Sequence, residues 1–385
     1  MSALPAPDAH AQAHSARVVA HVREEIERCG GFIPFTRYME LVLYAPRLGY
    51  YVAGARRFGA AGDFVTGPEM TPLYGAAMAR QIAPILASTR SREIVELGAG
   101  SGALAASLLE ALARDETLPS RYAILEVSPD LREQQRASIE AVVPDAMARV
   151  AWLDRLPAAI DGVVVLNEVL DAIAPRLVAR RDGAWLERGI AWRDGAFAWD
   201  ERPLDDARVQ SIAAARFPAE GDYESEVNPA AEALVATIAQ RVAPGGALLV
   251  VDYGFPRHEY YHAQRCEGTL VGHYRHRVHA DPFLWPGLSD LTTHVDFTAI
   301  AEAGERAGLH VAGFSTQASF LLGCGILDRL QALGAPEGAD YMRAAAAVQK
   351  LVSPAEMGEL FKVLLLARGD ADWRCLALVD MAHRL

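Results

Sequence analysis

Along the chain, apolar and polar positions change rhythm several times. Near the N-terminus, Val18, Val19, Val22 and Ile26 recur at helical spacing, on a helix that Ser15 is placed to cap and Gly30-Gly31 to stop. A second helix is expected from near Thr36 to just before Ala45-Pro46. Thr71-Pro72 reads as the N-cap and first residue of a third, which Pro84 should kink or end. From residue 93 onward short apolar runs alternate with helical segments. Strands are expected at 93–97, 122–126, 149–152, 161–166 and 247–252. That alternation predicts an α/β fold built on a parallel, doubly wound sheet.

The rhythm breaks twice. Residues 175–202 hold three β-like runs split by Asp182-Gly183 and Asp194-Gly195, the signature of an inserted antiparallel meander. Phe255 to His294 is long, aromatic and rich in histidine, and irregular stretches above ~15 residues usually carry function. A helix is expected over Pro229–Val242 and another near 296–307. Strands at 309–314 and 361–367, with helices between, read as an antiparallel hairpin closing the sheet. The organisation expected is a disordered tail (1–14), an N-terminal helical and lid segment (15–90), and a core (91–385) with insertions at about 175–228 and 255–294.

Composition narrows the function. A chain of 385 residues, 51% hydrophobic, holds ample material for a large core. Its formal charge of −12 argues against nucleic-acid binding, which needs basic residues to neutralise phosphates. The lysines are Lys350 and Lys362, both far from any glycine-rich loop, so Schiff-base chemistry there has no candidate. Cys29, Cys266, Cys324 and Cys375 are scattered, which fits neither a zinc site nor a disulfide framework and suits a reducing compartment. His258, His262, His273, His276 and His279 lack accompanying acids at ligand spacing, so they read as channel or surface histidines and no metal is expected. No apolar run approaches the ~20 residues of a membrane span, and the first residues lack the apolar stretch of a signal peptide. Neither membrane insertion nor export is therefore expected, and the location expected is cytoplasmic.

The stretch that carries chemistry is Ile94-Val95-Glu96-Leu97-Gly98-Ala99-Gly100-Ser101-Gly102, a strand, a tight loop and then a helix start. Glycines allow positive φ and close approach of a ligand to the main chain, and the helix N-terminus offers free N–H groups. Two ligands compete. Gly98-x-Gly100-x-x-Ala103 satisfies a dinucleotide fingerprint, which would make the protein a nicotinamide-dependent reductase. Glu96-x-Gly98-x-Gly100-x-Gly102 matches an S-adenosylmethionine (SAM) loop instead. Glu126, at the end of the next strand, is placed to accept ribose hydroxyls. It lies farther from Gly98 than the ~20 residues of a nicotinamide site. Open α/β sheets collect ligands beyond their strand ends. Asn167, Glu168 and Asp171 stand there after the fourth strand, while Asp63, Thr66 and Glu69 sit in a glycine-rich loop that reads as a surface turn or a lid.

Six stretches together resemble one family. They are Gly49-Tyr50-Tyr51, Gly62-Asp63-Phe64-Val65-Thr66-Gly67-Pro68-Glu69, Glu96 to Gly102, Asn167-Glu168-Val169-Leu170-Asp171-Ala172, Asp252-Tyr253-Gly254, and Asp290-Leu291-Thr292-Thr293-His294-Val295-Asp296-Phe297. In this order, over about residues 30–370, the chain is similar to the MidA-like SAM-dependent methyltransferases. The resemblance implies a class I, Rossmann-like methyltransferase sheet with a closing antiparallel hairpin. It implies SAM as cofactor, held by Glu96, Gly98, Ala99, Gly100, Gly102, Glu126, Asp63, Thr66, Pro68 and Asn167. It also implies methylation of arginine on a protein partner, a respiratory-complex subunit in the mitochondrial members. Glu168, Asp171, Asn167 and Glu69 are the candidate catalytic residues. A non-catalytic assembly factor that binds SAM is the alternative within the same family. Gly67 stands where many members have Ser, and Val169-Leu170 where bulky aromatics are common.

Overall fold

A computed structural model describes residues 4–52, 66–370 and 379–385. Its contacts divide the chain into a larger and a smaller unit. The larger is built on β1 (Glu93–Leu97), β2 (Arg121–Leu125), β3 (Val150–Leu153), β4 (Gly162–Asn167), β5 (Ala247–Phe255), β6 (His310–Thr316) and β7 (Phe361–Ala367). The order is β3-β2-β1-β4-β5-β7-β6. The first five strands run parallel, and β7 enters antiparallel between β5 and β6, with Val250 opposite Leu364. β1 and β4 are buried along their whole length, which is why they read as unbroken apolar runs rather than alternating ones.

Three helices frame the loop ends of this sheet: α1 (Leu73–Ser88), α2 (Ala103–Arg114) and α3 (Pro129–Val142). α1 and α2 approach closely at Gly75, where a Cβ would stand 2.1 Å from Ser107 Oγ. Pro84 does not end α1, which continues to Ser88. α1 begins at Leu73 rather than Pro72, and Thr71 Oγ1 accepts a hydrogen bond from the Leu73 amide (3.3 Å).

The smaller unit gathers the described residues before 53 with Asp171–Ala231 and Arg257–His294. Its main sheet holds the expected meander as strands Arg176–Arg181, Ala184–Arg193 and Ala196–Pro203, joined by Tyr223–Val227. Both Asp-Gly turns take positive φ at each residue (48° and 80°, then 51° and 81°), as two-residue hairpin turns require. Ile33–Pro34 adds a further strand, with Ile33 opposite Ile190. Gly189 permits that pairing, since a Cβ there would meet the Ile33 carbonyl oxygen at 2.2 Å. Val18, Val22, Ile26, Phe35, Tyr38 and Met39 form one core with Leu177 and Ile190.

Three expectations need correction. Residues 9–14, assigned to a disordered tail, are the opening turns of helix Ala9–Arg28; Asp8, not Ser15, caps it by accepting from the Ala11 amide. Residues 66–90, grouped by sequence with the N-terminal helices, belong to the larger unit. The stretch 255–294 is not irregular throughout. It contains a short helix, Arg257–Tyr260, and a sheet of Val271–Tyr274, Arg277–His279 and Asp290–Thr292.

Candidate active site

The glycine loop leaves β1 and enters α2 with three left-handed residues: Gly98 (φ 66°), Gly100 (φ 51°) and Gly102 (φ 83°). A side chain in that conformation is strained at each position. Two of them also face close neighbours. A Cβ on Gly102 would lie 2.9 Å from Gln135 Cα, and one on Gly98 would lie 3.1 Å from Val169 Cγ2. Ala99 is buried between them, and its carbonyl accepts from the Gly102 amide (2.8 Å).

Glu126 follows β2 and is nine-tenths buried. Its Oε1 accepts the Ser128 amide (2.8 Å), and its Oε2 accepts Gln135 Nε2 (3.2 Å). Gln135 Nε2 also donates to the Gly100 carbonyl (3.1 Å), while Trp152 Nε1 donates to Gln135 Oε1 (2.9 Å). This fully buried glutamine on α3 thus joins the loop, the acid and β3. Sequence reasoning missed it, because its partners lie far away along the chain.

Glu96 is placed beneath the loop. Its carboxyl accepts the Tyr122 hydroxyl at 2.7 Å, and burial pushes its pKa up to about 7, with Tyr122 opposing the shift. A carboxyl so buried favours the neutral form.

The segment before α1 closes onto the loop from the other side. Thr66 caps the short helix Gly67–Met70 in a capping box with Glu69. Glu69 Oε1 then accepts the Ser101 hydroxyl (2.9 Å), tying this turn to the glycine loop. Gly67 and Pro68 are buried, and a Cβ on Gly67 would stand 2.8 Å from the Tyr74 ring. A side chain at this position, the serine expected from the family resemblance included, would have to displace the Tyr74 ring. Asp63 lies outside the described residues.

No helix follows β4, so Glu168 is not the first-turn acid of a helix. It takes φ 54°, a left-handed conformation uncommon for a residue with a side chain. The strained turn is held from three directions. The Glu168 amide donates to the Val251 carbonyl (2.8 Å), and Asp252 Oδ2 accepts the Val169 and Leu170 amides (3.2 and 2.9 Å). Asn167 Nδ2 donates to Glu168 Oε1 (3.2 Å), and Asn167 Oδ1 accepts the Tyr74 hydroxyl (2.7 Å). Asp252, fully buried, is the second positioning residue that spacing did not disclose.

Within the larger unit the structure therefore brings together Thr66, Pro68, Glu69, the glycine loop, Glu126, Asn167 and Glu168. Asp171 belongs to the smaller unit, where its carbonyl accepts the Thr293 amide (3.1 Å). The histidines of the 255–294 stretch build no ligand set: among the described residues no group of three or more His, Cys, Asp or Glu is placed to hold a metal ion. Among the same residues no helix is long and apolar enough to cross a membrane.

Comparison with known proteins meets this geometry. The family model for S-adenosyl-L-methionine-dependent methyltransferases matches residues 77–315. The mitochondrial protein arginine methyltransferase NDUFAF7 homolog of Drosophila melanogaster is 29% identical, covering 94% of this chain and 88% of its own. The mouse NDUFAF7 is 30% identical, covering 91% and 84%. A Burkholderia thailandensis protein crystallised with S-adenosyl-homocysteine is 48% identical, has a TM-score of 0.94 and covers all of both chains. A native crystal structure from the same organism is 47% identical, with a TM-score of 0.91.

The residues fit such a ligand. A ribose diol presents two O–H donors, and Glu126 is a nearly buried carboxylate oriented by Ser128 and Gln135. The loop from Gly98 to Gly102 carries three left-handed glycines, and α2 starts there with its N–H groups. SAM is the cofactor, and the nicotinamide alternative is set aside.

Proposed function

The chain belongs to the S-adenosyl-L-methionine-dependent methyltransferases, and from that premise we propose that it methylates an arginine side chain of a protein partner. The carrying observation is the likeness, over nine-tenths of the chain, to proteins named protein arginine methyltransferases. By the same resemblance the partner is a subunit of a respiratory complex.

When bound, the cofactor supplies an electrophilic methyl group on sulfur. This chain has three tasks: orient the acceptor nitrogen, keep water out, and offset charge on a guanidinium that stays protonated in water. Glu168 is assigned the acceptor side. A carboxylate grips the guanidinium fork and aims one nitrogen, and the turn holding Glu168 is fixed by Asp252 before any ligand arrives. Asn167 sets the direction of Glu168 through its amide. Glu69, which accepts the Ser101 hydroxyl, is assigned to holding the loop closed. Asp171 is assigned to substrate binding. Thr66, Pro68, Glu96, Glu126 and the glycines are assigned to the cofactor, with Glu96 acting from beneath the loop.

The test incubates the full chain with methyl-labelled SAM and respiratory-complex subunits from the same source, and reads the products by mass spectrometry. Label on arginine is expected. Label on another side chain overturns the arginine reading. SAM binding with no turnover on any subunit returns the protein to the role of an assembly factor.

A further inference from the structure

The outer edge of the larger sheet carries a cavity that the proposed function does not use. β3 is the outermost strand there, and after Leu153 the chain returns to the start of β4 at Gly162. The returning segment is fastened at its far end, where the Ile160 amide donates to the Arg241 carbonyl (2.8 Å). Between this segment, the end of β3, Arg121 and Arg241 lies a cavity of about 810 Å³. Small-molecule sites span about 300–1,000 Å³. No residue assigned to the cofactor lines it.

Its walls differ in chemistry. Trp152, Leu153, Leu156 and Pro157 are half-buried and make one wall apolar. The other is cationic. The acid on it, Asp154, is paired with Arg132 (2.6 Å), and Arg121 is paired with Glu93 (3.2 Å). The two remaining arginines have no acid. Arg241 Nη1 donates to the Leu156 and Pro157 carbonyls (3.0 and 3.2 Å), which pins the returning segment and leaves Nε and Nη2 uncommitted among the described residues. Arg155 makes no hydrogen bond or ion pair among the same residues. In a chain with a formal charge of −12, this cavity thus gathers two guanidinium groups without a carboxylate. A guanidinium fork matches a carboxylate or phosphate, and the apolar wall matches a hydrocarbon body.

We infer that this cavity is a second ligand site, for a small organic anion whose carboxylate or phosphate meets Arg155 and Arg241 and whose apolar body lies on Trp152, Leu153 and Pro157. The inference is independent of which side chain accepts the methyl group. Trp152 and Asp154 are poor places to test it. Trp152 Nε1 donates to Gln135, and Arg132, the partner of Asp154, donates to the Glu126 carbonyl (2.7 Å), so changes there would reach the cofactor loop. Arg155 is exposed and touches neither, so its substitution spares the fold.

The experiment is calorimetry on the full chain saturated with S-adenosyl-homocysteine, so that the cofactor site is filled. Phenyl phosphate, phenylacetate, neutral 2-phenylethanol and inorganic phosphate are titrated in turn. At least one aromatic anion should bind with Kd below ~1 mM, and the tighter of the two names the head group. The alcohol and inorganic phosphate should each bind about tenfold more weakly or less. Arg155→Gln should weaken the preferred anion about tenfold and Arg155→Glu should abolish its binding, the loss and the reversal of one charge-assisted contact. Affinity for S-adenosyl-homocysteine should not change in either variant. Failure of both anions to bind, equal binding of the alcohol, or full binding by Arg155→Glu overturns the site. Binding seen only without S-adenosyl-homocysteine also overturns it, because the anion then occupies the cofactor site. A hexaglutamate peptide completes the series: if it binds and neither aromatic anion does, the cleft is a docking surface for an acidic segment and the small-molecule site is wrong.

Discussion

The Tyr74 hydroxyl donates to Asn167 Oδ1 at 2.7 Å, fastening α1 to the end of β4. Both groups are buried, and burial holds the phenol far above its ordinary pKa, so it stays a donor. Asn167 in turn donates to Glu168. Tyr74→Phe keeps the ring that packs on Gly67 and deletes only the bond. Stability should fall by about 1–3 kcal/mol, the cost of an unsatisfied buried acceptor. Methyl transfer should fall more steeply than SAM affinity. Denaturant unfolding, calorimetry and a single-turnover assay separate the three, and an unchanged transfer rate removes Tyr74 from the chain of positioning.

Glu168 combines a left-handed backbone with a carboxylate, and substitutions can divide the two. Glu168→Gln keeps shape and backbone but not charge. Transfer should drop more than a hundredfold, about 3 kcal/mol of transition-state stabilisation, with SAM affinity nearly unchanged. Glu168→Gly should lose transfer as well, yet leave stability unchanged or raise it by about 1 kcal/mol, because glycine relieves φ 54°. A glycine variant that transfers normally would show that the site needs neither the acid nor the strain, only the left-handed turn.

The sheet was legible because β1, β4 and β5 are buried on both faces and so leave apolar runs in the sequence. The meander was legible because Asp-Gly turns carry their own geometry. The hairpin at Arg275-His276 was not: both residues take positive φ (47° and 60°) with no glycine to announce it. Glycine spacing picked out the loop proposed to hold the cofactor. Gln135 stayed hidden, and Asp252 stood out only within a family stretch with no task attached, since a polar residue inside an ordinary helix or strand gives no sign of the amides and carbonyls it meets. The Ile33–Pro34 strand was equally silent, two residues long and paired with Gly189 and Ile190, far along the chain.

Gln135 offers a test of how Glu126, the acid proposed to meet the ribose, is held. Gln135→Leu keeps the volume but strips partners from Glu126 Oε2, the Gly100 carbonyl and Trp152 Nε1. SAM affinity should fall about tenfold or more as Glu126 and the loop lose their shared anchor, whereas Glu126→Ala should cost about 1–3 kcal/mol of binding directly. The double variant should be less than additive, because residues in one network couple. Additive losses by calorimetry would mean that the two act independently.

Glu96 predicts a pH dependence of the fold itself. Its folded pKa, about 7, lies above the ordinary 4.5, and burial is the dominant cause. The sign follows from proton counting. Between pH 4.5 and 7 the folded chain keeps a proton that the unfolded chain releases, so this group makes stability fall as pH rises. Below 4.5 both states are protonated and the penalty is absent; above 7 both are ionised and it is complete. The shift corresponds to about 3 kcal/mol. Glu96→Gln keeps an acceptor for the Tyr122 hydroxyl and removes the charge. In denaturant unfolding without SAM, the variant should match wild type near pH 5 and exceed it by up to about 3 kcal/mol at pH 8. Parallel stability curves for the two proteins from pH 5 to pH 8 would show that Glu96 is ionised in the folded state throughout, with its charge met by groups other than Tyr122.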